Sequence, residues 1–247
     1  MVIEGGSLRE LMVLPAAVVV FGGTYGATIA CCGMKSFLRS PLDLMRALLG
    51  KTSSRKGLVE EMVEIATRAR REGLLALESQ VAKLSHPVLR KALQLVVDGL
   101  DPEMVAEIMY TDLAVREVEE RRGAQYYLTW AGLGPTLGVT GTVMGLINMM
   151  GKLDDPSAMG PAIASAFCAT LYGVATANLI FIPIGKKLMA MAEDEKAAGE
   201  MIIEGVRSIQ EGASPLTVRQ RLSAYLGEAN APKAGGEVGG EELRKAA

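Results

Sequence analysis

GAQYYLTWAGLGPTLGVTGTVMGLINMMGKLDDPSAMGPAIASAFCATLYGVATANLIFIPIG, residues 123–185, is the stretch whose reading decides the fold. Its first part, residues 123–151, runs 29 residues without a charge, and its second, residues 156–185, runs 30. At about 1.5 Å per residue each would reach roughly 44 Å as a helix, enough for a bilayer core and its interfaces. Only Lys-Leu-Asp-Asp, residues 152–155, lies between them. The pair therefore reads as a transmembrane helical hairpin with a tight outer turn.

Outward from the hairpin, residues 11–34 form a third charge-free run, a spanning helix expected to end near Cys32. Gly22, Gly26, Ala30 and Gly33 recur along it at steps of four and three, spacing that lets another helix approach closely. Residues 1–10 are polar, lack the basic start of a signal peptide, and are expected on the periplasmic side. Lys35, Arg39, Arg46, Lys51, Arg55 and Lys56 follow, which puts residues 35–122 in the cytoplasm. In that region Lys51–Lys56 reads as a loop, and Leu58, Met62, Ile65 and Ala66 recur at helical spacing. A short helix stopped by Gly99 comes next, then a long one starting at Asp101-Pro102 and running almost unbroken into the membrane as a stiff rod. Tyr126, Tyr127 and Trp130 fall where an interfacial aromatic belt is expected. Residues 186–226 read as cytoplasmic C-terminal helices and residues 227–247 as a disordered tail. The fold class is thus all-α: a polytopic membrane protein with three spans and a helical cytoplasmic domain.

Composition narrows the chemistry. The net charge of −2 gives no reason to expect nucleic acid. Cys31, Cys32 and Cys168 sit in apolar runs with no CxxC pair and no histidine nearby, so they read as small hydrophobes, and no metal site is expected. His86 is the single histidine, in a loop beside Pro87, and no catalytic arrangement accompanies it. The chain reads as neither an enzyme nor a cofactor protein.

Within the hairpin, Gly134, Gly138, Gly141 and Gly145 form one small-residue stripe. Ala162, Ala166, Ala169, Gly173 and Ala177 form the other. Stripes of this kind imply close helix packing rather than a wide aqueous pore. Thr142 lies nine residues before Gly151, roughly 14 Å along the helix, and Thr170 lies twelve after Ala158, roughly 18 Å. The two hydroxyls therefore reach a similar depth, where they either bond their own helices or line a polar path. No Asp, Glu, Lys, Arg or His occurs in any of the three runs. A proton path needs a titrating group, so conduction would require an acid from another polypeptide.

Longer segments carry a family resemblance. Gly22-Gly23-Thr24, REGLLALE at 71–78, LQLVVDGLDPE at 93–103, GPTLGVTGTVMGLI at 134–147, LDDPSAMGPAIASA at 153–166, TLYGVATANLIFIPI at 170–184 and IIEGVRSIQEGASP at 202–215 resemble, in collinear order, the MotA family of flagellar motor stator subunits. The resemblance implies an inner-membrane subunit that forms a ring, five copies around two of a MotB-like single-span partner. That partner brings a membrane aspartate and anchors to peptidoglycan, and passage of H+ or Na+ drives the ring against a FliG-like rotor protein. Carried over by position, Arg70 and Glu78 match the charged pair that engages the rotor. Pro135 and Pro183 match prolines near the inner end of the channel helices, and Thr142 and Thr170 would face the partner aspartate. If the helix persists through Gly73, Arg70 and Glu78 share one helix face two turns apart.

The family has four spans where three are read here, and residues 1–7 resemble the outer loop after its first helix. The resemblance thus implies that a helix of about 20 residues is missing, through a late start codon or a real truncation. Three spans with an outer N-terminus resemble the ExbB/TolQ topology, so an energiser of an outer-membrane system is the alternative reading, with an inactive truncated scaffold beside it.

Overall fold

The computed structural model describes residues 12–226 apart from 51–53, 85, 152 and 155. The expectations for the N-terminal segment, for the start of the Lys51–Lys56 loop, for Lys152 and Asp155 of the outer turn and for the tail lie outside the described residues. All regular structure among the described residues is helical. The described residues divide into two compact units, one drawn from the ranges 1–51 and 116–193, the other from 52–115 and 194–247.

The first unit begins with a helix over Leu14–Cys32. Its parts are α1 (Leu14–Ala17), a π-helical turn (Val18–Gly22) and α2 (Gly23–Cys32). Pro15 falls in its first turn, where a missing N–H costs little. Thr24 and Thr28 are fully buried and turn their hydroxyls back onto the carbonyls of Val20 and Thr24, at 2.5 and 2.7 Å. Gly33, at φ +80°, ends α2 and turns the chain into α3 (Met34–Leu49). The sequence reading had no helix there. Pro41 obscures it, because a proline inside a helix leaves the carbonyl four residues back without its donor. Here that carbonyl belongs to Phe37, and the Ser40 hydroxyl donates to it at 2.8 Å.

α7 (Pro102–Met150) is one helix of 49 residues that passes into this unit at Arg116. α8 (Pro156–Thr176) follows, then a π-helical turn (Ala177–Phe181) and α9 (Ile182–Gln210), which leaves the unit after Glu193. Among the described residues two helical stretches are long and apolar enough to cross a membrane, Leu14–Cys32 and Met159–Gln210. The third expected span, residues 123–151, is helical and charge-free but is not one of the two, being diluted by Gln125, Thr129, Thr136, Thr140, Thr142 and Asn148.

The aromatic residues do not form an outward belt. Trp130, Tyr126 and Tyr127 are buried inside the helix packing. Trp130 stacks on Phe181 with ring centres 3.7 Å apart, and Phe21 and Tyr25 lie against its other sides. Inward-facing rings replace the expected interfacial ones because neighbouring helices supply aromatic partners at the same level.

The second unit is a helical domain with its own apolar core. α4 (Arg55–Glu72) lies against α10 (Pro215–Ser223), and α6 (Pro87–Val97) is completed by the first turns of α7 and the last of α9. Met62, Leu89, Leu93, Met109, Met201, Ile202 and Leu222 fill this core. Glu60 and Arg219 close the exposed α4–α10 edge with two parallel bonds of 2.6 and 2.7 Å. The hydrogen bonds from Arg219 hold the Glu60 carboxyl below the usual carboxylate range. A depressed folded-state pKa adds stability above the unfolded value and loses it as pH falls through the folded one. Glu60→Gln should therefore melt slightly below wild type near neutrality, a gap that closes in acid, as thermal scans across pH would record.

Candidate functional site

Two places carry the residues singled out from sequence: the seam between α7 and α8 in the first unit, and the break after α4 in the second.

The seam is built from the absence of side chains. A Cβ on Gly138 would sit 3.0 Å from the Ala169 carbonyl oxygen and 3.3 Å from the Cα of Thr170. One on Gly141 would come within 2.8 Å of the Ala169 Cβ, and one on Gly145 within 2.9 Å of the Ala166 Cβ. Gly134 and Gly173 face each other so closely that a Cβ on Gly173 would be driven into the Gly134 carbonyl. All five glycines therefore lie at one contact, where two backbones nearly touch. That approach is the geometry small residues permit between helices in lipid.

At the middle of this seam the two threonines meet. The Thr142 and Thr170 hydroxyl oxygens lie 2.5 Å apart. The Thr142 hydroxyl also stands 2.9 Å from the Ala166 carbonyl across the seam and 3.1 Å from the Gly138 carbonyl on its own helix. A hydroxyl carries one proton to donate and two acceptor positions, so the pair and its carbonyls form a small polar chain among apolar residues. Both threonines are half-buried. Such a group can donate to a carboxylate or offer oxygens to a cation, but it has no side chain that takes up a proton near neutrality.

Pro135 sits two turns before Thr142 and is half-buried, while Pro183 is exposed in the first turn of α9. Neither can donate to the carbonyl four residues back, and the π-helical turn over Ala177–Phe181 lies directly before Pro183. π-turns of this kind recur at functional positions in helices. Sequence reading missed both π-turns, and no residue pattern announces them.

In the second unit Arg70 and Glu78 are both exposed. They do not share one helix face. α4 stops at Glu72 because Gly73 adopts φ +86°, and a 3-10 turn (Leu74–Leu77) precedes α5 (Glu78–Val81). The backbone break overrides the expectation of a continuous helix, since Gly73 takes the left-handed conformation that ends helices. Leu74 packs against the core and Leu77 is buried in it, so the break is held in place. Neither Arg70 nor Glu78 forms an ion pair among the described residues. His86 lies where it was expected, in the loop just before Pro87, but is buried there, with its Nε2 3.4 Å from the Glu195 carboxylate.

The chain is similar to known proteins in sequence and in fold. Residues 80–226 match the model of the MotA/TolQ/ExbB proton channel family. Motility protein A of Treponema phagedenis is 36% identical over 232 residues, 91% of this chain and 86% of that protein. Motility protein A of Borreliella burgdorferi is 33% identical over 228 residues, 92% of this chain and 88% of that one. Chemotaxis protein PomA of Vibrio alginolyticus is 31% identical over 224 residues, 91% and 88% of the two chains. Among solved structures, that of C. jejuni MotAB superposes with a TM-score of 0.85 at 30% identity, covering 92% of this chain and 89% of that one. The flagellar MotAB stator complex from Bacillus subtilis gives 0.83 at 31% identity, covering 100% and 93%.

Proposed function

The chain belongs to the MotA/TolQ/ExbB proton channel family, and we propose that it works as the torque-generating half of a two-protein stator. It is a membrane-embedded stator subunit of the flagellar motor. The observation that carries the mechanism is the pairing of Thr142 with Thr170 inside charge-free helices. In this reading the hydroxyls face a carboxylate on a MotB-like single-span partner, in the cytoplasmic (inner) membrane. Hydrogen bonds from the pair stabilise the ionised acid, and arrival of a proton or sodium ion at that acid weakens them, which lets the helices shift.

Copies of the chain form the ring, expected to be a pentamer, around that partner. Gly22 and Gly26 support this, because a Cβ on either would meet nothing within 4 Å in the single chain, which leaves their face open for a neighbouring subunit. Arg70 and Glu78 engage a FliG-like rotor protein as two separately mounted charges. One elementary charge crossing 100 mV releases about 2.3 kcal/mol, enough to bias a conformational step, so sustained rotation uses several ions per cycle. The chain performs no covalent chemistry in this scheme and uses no cofactor.

The test is motility. Expressed with a MotB-like subunit in cells lacking their own stator pair, the chain should restore swimming. Expressed without that subunit, it should not. Both proteins present in the membrane and paired, yet leaving the cells immotile, would contradict the reading.

A further inference from the structure

α3 carries apolar residues on both sides. Its inner side mixes Phe37, Leu44 and Ala47 with buried polar groups: Asp43 is 3% exposed, and the Ser40 carbonyl accepts from the Tyr127 hydroxyl at 2.6 Å. Arg46 pairs with Glu120 at 3.1 Å, and Ala47 packs in a cluster with Ala124, Tyr126 and Leu188. Gly123 is the reason Asp43 fits, since a Cβ there would stand 2.7 Å from the carboxylate. The outer side is apolar. Met34, Leu38, Leu42, Met45 and Leu49 follow at steps of four, four, three and four and are 56–73% exposed. A helix on a water-facing surface has the opposite arrangement. Only Gly33 separates the start of α3 at Met34 from the end, at Cys32, of a stretch long and apolar enough to cross a membrane. Its outer face therefore lies at the level of lipid headgroups, where apolar residues meet acyl chains and basic ones meet phosphates.

Beside this face is a cleft of about 460 Å³ lined by Lys35, Ser36, Arg39, Asp43, Glu119 and Arg122, with residues 32–34 and 123 completing it. Arg39 is engaged by Asp43 at 3.3 Å. Lys35 and Arg122 are exposed and carry no ion pair among the described residues. Two free cations and one free carboxylate, Glu119, thus border the opening. We propose that this cleft binds the phosphate of an anionic phospholipid of the cytoplasmic leaflet, with Lys35 and Arg122 as its charge partners and the outer face of α3 against the acyl chains. The lipid is preferred over a free phosphate because Met34, the first residue of the exposed apolar row, itself lines the cleft, so an acylated ligand meets both the charges and the row. The Ser36 hydroxyl is committed to the Cys32 carbonyl at 2.9 Å and closes the α2–α3 corner rather than contacting the ligand. Bound lipid would fix the angle of α3 against α7. The proposal rests on the membrane-embedded reading of this unit.

Native mass spectrometry of the full chain, purified with its partner in a neutral detergent, tests it. Phosphatidylglycerol and phosphatidylcholine of identical acyl chains are titrated separately, with inorganic phosphate and glycerol phosphate as soluble competitors. Wild type should retain phosphatidylglycerol at roughly tenfold lower concentration than phosphatidylcholine, and the double variant Lys35→Gln/Arg122→Gln should lose that preference while melting at the same temperature. An unchanged preference in the variant, or none in wild type, overturns the proposal. Displacement of the lipid by millimolar soluble phosphate would assign the cleft to a free anion and overturn it equally. Recovery of the chain in the membrane fraction is scored separately, so a failure of membrane insertion is distinguished from a failure of lipid selection.

Discussion

Gly173→Val is expected to abolish swimming and lower the melting temperature of the stator complex, whereas Gly132→Ala should leave swimming intact and stability no lower than wild type. The contrast follows from what each new side chain meets. At Gly173 the first added carbon runs into the Gly134 carbonyl and stands 3.1 Å from the Cα of Gly138. Those are backbone atoms of a neighbouring helix and cannot rotate away. Overpacking usually costs about 1–3 kcal/mol, and the branched carbons of valine take the larger share by prising α7 from α8. The same displacement separates Thr142 from Thr170, now 2.5 Å apart, so loss of motility accompanies loss of stability. At Gly132 nothing lies within 4 Å, and alanine there gains about 0.5–1 kcal/mol of helix preference. Normal swimming in the Gly173 variant would show that the close approach is not needed.

Reversing both charges at the α4 break, with Arg70→Glu and Glu78→Arg together, should also stop or severely slow swimming, but by a different route. Both side chains are exposed and neither forms an ion pair among the described residues. Surface changes of this kind usually move stability by no more than about 0.5 kcal/mol. Membrane levels and partner association should therefore stay at wild-type values, as immunoblots and co-purification would record, while swimming speed falls. The mounting of the two charges matters here. With Gly73 between them at φ +86°, they are carried by separate helical pieces, so each can meet its own partner residue on the rotor. Wild-type speed in the double reversal would remove them from the rotor contact.

What the sequence made legible followed from signals that tertiary packing could not override. Twenty-nine and thirty residues without a charge leave little choice but helices, and the glycine and alanine stripes place the two helices face to face. The similar depth of Thr142 and Thr170 could be read from their distances to the turn, but not that their hydroxyls meet across the seam. Three features were not legible, each for a physical reason. α3 was concealed by Pro41, whose cost is removed by a single hydroxyl, that of Ser40. The inward turn of Trp130 depends on Phe181, fifty-one residues away, and no local pattern carries that information. Gly73 could equally have been absorbed into a helix, as Gly57 is inside α4, and it is the packing of Leu74 and Leu77 on the core that holds the break. A signal for α3 was present in the recurrence of Met34, Leu38, Leu42, Met45 and Leu49, but the basic residues among them were read only for the side of the membrane they mark.

The central claim is that these helices supply a hydroxyl-lined seam and no proton acceptor, so a second polypeptide must bring the acid. Ion flux into proteoliposomes addresses it directly, with three preparations compared: the chain alone, the chain with a MotB-like subunit, and the chain with that subunit's membrane aspartate changed to asparagine. Flux in the second preparation only is the expected result. Flux through the chain alone, or undiminished flux with the asparagine variant, would contradict the account.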